Sequence, residues 1–176
     1  MFIREYIEDV ACDLYIRRFA PIIKRIAEEL LEISDGMHPD IRVALDDGAK
    51  LPVRAHSTDA GADLCCIGGF TVQPHDSILV DTGVHVELPP HTVGMLKSKS
   101  GLNCLQAIRT TGVIDEGYTG SIKVRVYNDG DYPKTFNAGD KVTQLVIVPA
   151  IYPTYEEADS IEGGDRGDAG FGSTGN

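Results

Sequence analysis

The stretch Gly112-Val-Ile-Asp-Glu-Gly-Tyr-Thr-Gly120 carries the residue types from which a small hydrolytic or binding site is built. A short apolar run, Val113 and Ile114, ends in two adjacent acids, Asp115 and Glu116, and Gly117 and Tyr118 follow at once. A carboxylate placed there can take a proton or hold a hydroxyl, and the ring can lie against a flat or sugar-like group. Glycines let the backbone turn and come close to a ligand. The alternating residues Ile122-Lys-Val-Arg-Val126 then read as a strand, which puts the acid and the ring at the mouth of a β-pocket. An ordinary β-hairpin with an acidic turn has the same local pattern, so the choice rests on the rest of the chain.

Four other stretches have the same character. Asp59-Ala-Gly-Ala-Asp-Leu64 sets carboxylates beside a glycine at the start of a strand. Such hard oxygen ligands hold magnesium directly or through its waters, and a turn with solvated acids is the alternative. Lys97-Ser-Lys-Ser-Gly101 combines cations, hydroxyls and a glycine, which reads either as a phosphate cradle or as a solvated basic loop. In Gly139-Asp-Lys-Val-Thr-Gln-Leu145, Gln144 has strand neighbours on both sides and faces either a pocket or solvent. The stretch Glu162 to Asn176 has the Gly-rich, polar composition of a mobile tail. Its content is more specific: Arg166 is a phosphate-type donor, Phe171 a lone stacking ring, and Gly170, Gly172, Ser173 and Thr174 offer close amides and hydroxyls. The Arg166-Gly167-Asp168 tripeptide, otherwise an adhesion signal, is read as coincidence in a cytoplasmic chain.

The elements that must position these residues are mainly strands. Short runs at Ile41–Leu45, Phe70–Val72, Ile78–Asp81, Val84–Leu88, Val93–Leu96, Ile122–Tyr127 and Val142–Val148 are split by turn signals and show no helical segments between them. That pattern predicts an all-β sandwich or barrel-like fold and leaves no room for βαβ units. Residues 1–38 differ: Ile3, Ile7, Val10 and Leu14, then Ile23, Ile26, Leu30 and Ile33, recur at helical spacing about Pro21. They predict a helical N-terminal extension, packed on its own domain or offered to a protein partner. The organisation expected is therefore extension 1–38, β domain 39–160 and flexible lid 161–176.

Composition narrows the function. Twenty-seven acids against 16 Lys and Arg give a formal charge of −11, which excludes a duplex-coating, nucleic-acid-binding surface. A polyphosphate substrate would need a divalent cation to approach so acidic a protein. Cys12, Cys65, Cys66 and Cys104 form no zinc pattern and read as free thiols of a reducing cytoplasm. No apolar run is long enough for a transmembrane helix, so no membrane role is expected. The histidines are scattered without ligand or triad spacing and receive no chemistry.

Taken together and in order, Asp59–Leu64, Lys99-Ser-Gly-Leu102, Gly112–Gly120, Gly139–Leu145 and Arg166–Gly175 resemble the trimeric deoxyuridine triphosphatase (dUTPase) family over residues 41–176. The resemblance implies an antiparallel jelly-roll or β-clip fold, a homotrimer with composite active sites, and magnesium-dependent hydrolysis of dUTP to dUMP and pyrophosphate. It implies that Asp115 holds the attacking water and the sugar 3′-hydroxyl, and that Tyr118 lies against the deoxyribose and excludes a 2′-hydroxyl. Ser100 would bond the oxygen bridging the α- and β-phosphates, and Lys99, Gly101 and Gln144 would contact the phosphates. Asp63 would orient magnesium through water. Backbone groups from Arg109 to Gly112 would read the uracil edge, with Ile114 beside the nucleoside. Arg166, Phe171, Gly172, Ser173 and Thr174 would close over the substrate, Phe171 on the uracil. Two residues depart from the pattern: Ala62 stands where tyrosine is common, and Lys99 replaces an arginine, turning a bidentate phosphate contact into a point contact.

Two other readings compete. A dCTP deaminase shares the fold and much of the third stretch but needs a glutamate where this chain has Arg125, and a cation cannot relay a proton between water and cytosine. An interaction protein working through residues 1–38 would use the unmatched apolar stripe instead.

Overall fold

Alternation from Lys123 to Asn128, with Val124, Val126 and Asn128 buried and Lys123 and Arg125 exposed, is the local rule that builds this molecule. The computed structural model describes residues 40–161 and Pro21. The helical extension expected over residues 1–38 and the lid from residue 162 onward lie outside the described residues.

The described chain is mostly antiparallel β. In order it runs β1 (Val43–Leu45), β2 (Gly61–Cys65), β3 (Phe70–Val72), β4 (Asp76–Asp81), β5 (Val84–Val86), β6 (Thr92–Lys97), α1 (Ser100–Gln106), β7 (Ile108–Ile114), β8 (Lys123–Asn128), β9 (Lys134–Phe136) and β10 (Lys141–Pro149). A six-stranded sheet has the order β2-β10-β6-β7-β8-β4, and β1-β5 and β3-β9 form two-stranded sheets. Leu64, Leu96, Ile108, Ile122, Val72, Val84, Val124, Val126 and Val142 are fully buried. Each such side chain contributes roughly 1.5–3 kcal/mol of burial free energy.

Buried polar groups are paired, and several pairs brace the strand ends that matter below. Thr110 and Thr143 share a hydroxyl–hydroxyl bond of 2.9 Å, Thr143 Oγ1 donates to the Lys97 carbonyl, and Ser98 Oγ donates to the Thr110 carbonyl at 3.0 Å. The buried Asn128 amide donates to the carbonyls of Val72 and Tyr132 and accepts from the Gly130 N–H. Among the described residues, no buried side-chain nitrogen or oxygen lacks a partner.

One expectation is corrected, and one alternative reading is set aside. The strands are not free of helix: Ser100–Gln106, whose first two residues belong to the stretch read as a phosphate cradle or basic loop, forms α1. It has no fully buried residue and only Leu102 packs against the core, so its sequence carries no amphipathic period to detect. Its end is set by Ala107, in the left-handed region at φ 54°, whose N–H bonds back to the Leu102 carbonyl. Nor is Gly112–Gly120 the tip of a plain hairpin. β7 pairs with β8 only from Ile108↔Asn128 to Thr111↔Arg125, while Gly112 to Ile114 pair with β6.

Candidate active site

Asp115 and Tyr118 come together. β7 carries Ile114 into the core opposite Gly94, and the chain then turns sharply, the Tyr118 N–H donating to the Asp115 carbonyl at 3.1 Å. Gly117, at φ +84°, occupies the position of that turn that an L side chain resists. Tyr118 Oη donates to the Ser121 carbonyl at 3.0 Å, which fixes the ring along the loop. An open cleft of about 700 Å³ results, lined by Asp115 and Tyr118 together with Val86, Leu88, Pro90, Thr92 and Tyr152 among others. A largely apolar cleft of this size with few polar groups suits a small organic ligand. The Asp115 side chain is exposed and makes no hydrogen bond or ion pair with another described residue.

The edge of β7 beside this turn is also open. β8 leaves β7 after Thr111, so Gly112 to Ile114 have no ladder partner on that side among the described residues. Their backbone donors and acceptors are available to a ligand's hydrogen-bonding edge.

Lys99, Ser100, Gly101, Gln144 and Asp63 gather elsewhere, where β2, β10 and β6 lie side by side. The register Asp63↔Gln144↔Lys97 puts these three residues in one row across the strands. That register depends on an irregularity in β10 between Lys141 and Thr143, a bulge that shifts Gln144 from the position opposite Ala62 to the one opposite Asp63. Gln144 Nε2 donates to the Ser98 carbonyl at 3.0 Å, holding the segment that leads into Ser100. The amide fits because residue 61 is glycine: a Cβ there would stand 2.6 Å from Gln144 Oε1. Lys99 pairs with Asp63 Oδ1, and Lys141 reaches Oδ2 at 2.8 Å. Burial pushes the Asp63 carboxyl up, but hydrogen bonds and charge from Lys141 and Lys99 outweigh it and hold it below the usual value. Ser100 and Gly101 are exposed on the first turn of α1. Ala62, the departure in this stretch, lines a shallow groove with Ile41, Leu51 and Leu145.

The two groups lie at opposite ends of the β6–β7 pair. Thr111 is opposite Lys97, and Asp115 is four residues further along the chain, about 13 Å at strand rise. Ser100 lies beyond Lys97 in the other direction, so a single chain does not bring Asp115 and Ser100 to the same atom. Arg166, Phe171, Gly172, Ser173 and Thr174 lie outside the described residues.

Sequence reading missed the residues that fix these groups. Glu116 accepts from the His91 N–H at 2.8 Å and from the Tyr152 hydroxyl. His85 bonds the Thr119 carbonyl through Nδ1 at 2.8 Å and approaches Asp46 through Nε2 at 3.2 Å, so its pKa is raised, first by that carbonyl and then by Asp46. Lys141, read only as part of a turn, is the second cation on Asp63. None of these contacts has a local signal, because the partners come from distant segments. Arg125 projects from the exposed side of β8, and its Nη1 donates to Ser77 Oγ at 3.2 Å.

Among the described residues, no group of three or more His, Cys, Asp or Glu is placed to hold a metal ion directly. Magnesium carried mainly by substrate phosphates needs only one or two protein carboxylates. An ionised carboxylate offers about four lone-pair sites. At Asp63 the lysines engage one on each oxygen, and the others can accept from water. Asp63 fits magnesium through water, not as part of a cage.

The fold and these groups define an antiparallel β protein with a carboxylate–tyrosine cleft and a separate cluster of serine, lysine and glutamine suited to phosphate. Comparison with known proteins agrees. The dUTPase family model matches residues 47–175. Deoxyuridine 5′-triphosphate nucleotidohydrolase of Gloeothece citriformis is 40% identical over 134 residues, covering 74% of this chain and 92% of that protein. The Variola virus protein of the same name is 38% identical over 127 residues, covering 72% and 86%. The dUTPase of Staphylococcus bacteriophage 80alpha, solved with dUpNHpp, superposes with a TM-score of 0.72 at 29% identity, covering 78% of this chain and 99% of that one. A mutant dUTPase of phage phi11 of S. aureus, whose structure shows the coordination of a structural Mg(II) ion, gives 0.65 at 28% identity, covering 70% and 99%. The chain belongs to the dUTPase family.

Proposed function

We propose that this dUTPase converts dUTP and water into dUMP and pyrophosphate at sites completed between copies of the chain. The observation that carries the reading is the shared cleft of Asp115 and Tyr118, where a carboxylate without a partner among the described residues stands beside a ring, with the backbone edge of Gly112 to Ile114 next to it, left open by those same residues. Asp115 holds a water and takes its proton as the oxygen attacks the α-phosphorus. The new P–O bond forms as the bond to the α–β bridging oxygen breaks, and pyrophosphate leaves. Ser100 donates to that bridging oxygen, where charge grows, and Lys99, Gly101 and Gln144 hold the phosphates. Tyr118 stacks on the deoxyribose and leaves no room for a 2′-hydroxyl, and Ile114 and Gly112 flank the base. Magnesium, when bound, neutralises the triphosphate, with Asp63 orienting its waters. Arg166, Phe171, Gly172, Ser173 and Thr174 close over the substrate and exclude water.

The separation of Asp115 from Ser100 along β6 and β7 supports a homotrimer of jelly-roll or β-clip subunits in which different subunits supply the two groups. Among the described residues, Cys65, Cys66 and Cys104 are free, in keeping with a reducing cytoplasm. Residues 1–38 are proposed as a helical extension that packs on the trimer or serves a protein partner. Deleting them tests which, since loss of the trimer marks a structural role.

The test of the activity is purified protein with dUTP, UTP, dTTP and dCTP, with and without magnesium. Pyrophosphate is expected from dUTP alone, in the presence of magnesium. Ammonia from dCTP would favour a deaminase. Asp115→Asn is expected to lower kcat/KM about a hundredfold or more, the usual share of a general base. An Asp115→Asn enzyme that keeps most of its activity would overturn the mechanism.

A further inference from the structure

The turn that carries Asp115 and Tyr118 is exposed and has few contacts of its own, yet the reaction proposed above needs both side chains held to a fraction of an ångström. Glu116, between them in the chain, supplies long-range attachment. One of its oxygens, Oε2, accepts from the His91 N–H at 2.8 Å, at the entry to β6, and from the hydroxyl of Tyr152, just past the end of β10. His91 and Tyr152 are themselves tied together. The Ala150 N–H donates to the His91 carbonyl at 2.8 Å, and the His91 and Tyr152 rings lie 5.7 Å apart. His91 takes a left-handed φ of 57°, unusual for a side-chain-bearing residue, in the conformation that offers its N–H to Glu116. The carboxylate thus links three segments at the rim of the cleft: the Asp115 turn, the entry to β6 and the exit from β10. On the far side of the loop, His85 holds the Thr119 carbonyl.

We infer that Glu116 is a positioning residue of this enzyme, acting through the His91 N–H and the Tyr152 hydroxyl to hold Asp115 and Tyr118 in register with the bound nucleotide. The inference rests on the hydrolase reading, but its structural half can be measured without turnover. The hydroxyl and N–H favour the charged form of Glu116, which keeps the anchor intact at neutral pH.

The experiment compares full-length wild type, Glu116→Ala, Glu116→Gln, Tyr152→Phe and Glu116→Ala/Tyr152→Phe. Hydrogen exchange is followed in peptides spanning residues 113–121, alongside kcat and KM for dUTP and thermal unfolding. Glu116→Ala is expected to speed exchange in that segment about tenfold and to lower kcat about tenfold, with KM changed less than about threefold. Glu116→Gln, which keeps an acceptor oxygen in place, is expected to recover kcat to within about threefold of wild type. Tyr152→Phe is expected to give a smaller fall, and the double variant to be no worse than Glu116→Ala, because both remove one linkage. Additive losses, or a kcat that follows unfolding temperature across the set, would reduce Glu116 to a stabilising contact. Unchanged exchange in residues 113–121 overturns the inference outright, whatever the activity. A wild type with no dUTP hydrolysis removes the hydrolase reading alone, and the exchange result then decides whether the anchor exists.

Discussion

At the scale of the residue, the same side-chain type does different work according to what surrounds it. Asp115 is exposed and unpaired with any described residue, whereas Asp63 is 9% exposed and held by two lysines. The first is free to handle a proton and the second is committed to its charge. Asp63 has a folded pKa below its ordinary 3.8, so its stabilisation is fully present above that value and is lost as pH falls through the folded one. Urea midpoints should therefore fall more steeply for wild type than for Asp63→Asn as pH is lowered below about 4. At neutral pH, Asp63→Asn should cost about 1–3 kcal/mol, the usual loss when charged hydrogen bonds go. Lys99 bears on both fold and substrate. Lys99→Ala should lower kcat/KM for dUTP more than Lys99→Arg, which keeps the charge and adds a forked donor. A tenfold or greater fall for Lys99→Arg would show that the lysine is specifically suited to its place on Asp63.

At the scale of the element, β10 and α1 decide where the phosphate-type residues stand. The bulge between Lys141 and Thr143 lets two successive residues, Val142 and Thr143, be buried, and it brings Gln144 opposite Asp63. A regular strand would put Gln144 opposite Ala62 and face it the other way. Strand alternation made β3, β4, β6, β8 and β10 legible in the sequence to within a few residues. It could not show the bulge, which depends on the partner strand, or α1, which is held by Leu102 and a left-handed Ala107. That left-handed alanine is testable. The conformation costs a side-chain-bearing residue about 1–2 kcal/mol, and glycine gives back about half of this in unfolded-chain freedom. Ala107→Gly should therefore raise stability by about 0.5–1 kcal/mol in urea unfolding.

At the scale of the whole molecule, one chain carries both groups of residues assigned to the proposed reaction and holds them apart. Asp115 and Tyr118 lie at one end of the β6–β7 pair and Ser100 at the other. Val113, at 58% exposure, lies beside Met95 and Val146 on the open face of the large sheet, an apolar surface that a second copy would cover. If sites form between chains, inactive variants should complement each other. Asp115→Asn and Ser100→Ala chains, unfolded together and refolded as a mixture, should regain activity that neither has alone, since random assembly leaves about one site in four with both native groups. Separate refolding followed by mixing without exchange should regain none. A mixture as inactive as its parents would place the complete site within one chain.

The sequence by itself determined the β class and the identity of the chemical groups. Both are local: alternation over a few residues signals a strand, and the carboxylate, tyrosine and glycines within Gly112–Gly120 are side-chain types whose chemistry is read from the residues themselves, while their assignment to a site rested on the other four stretches. What stands beside what was decided only by tertiary structure. The face of Gln144, the lysines on Asp63, the distance between Asp115 and Ser100, and the anchoring of Glu116 on residues 25 and 36 positions away all follow from strand register and long-range hydrogen bonds. Such contacts join segments remote in the chain, and no periodicity within either segment encodes its partner.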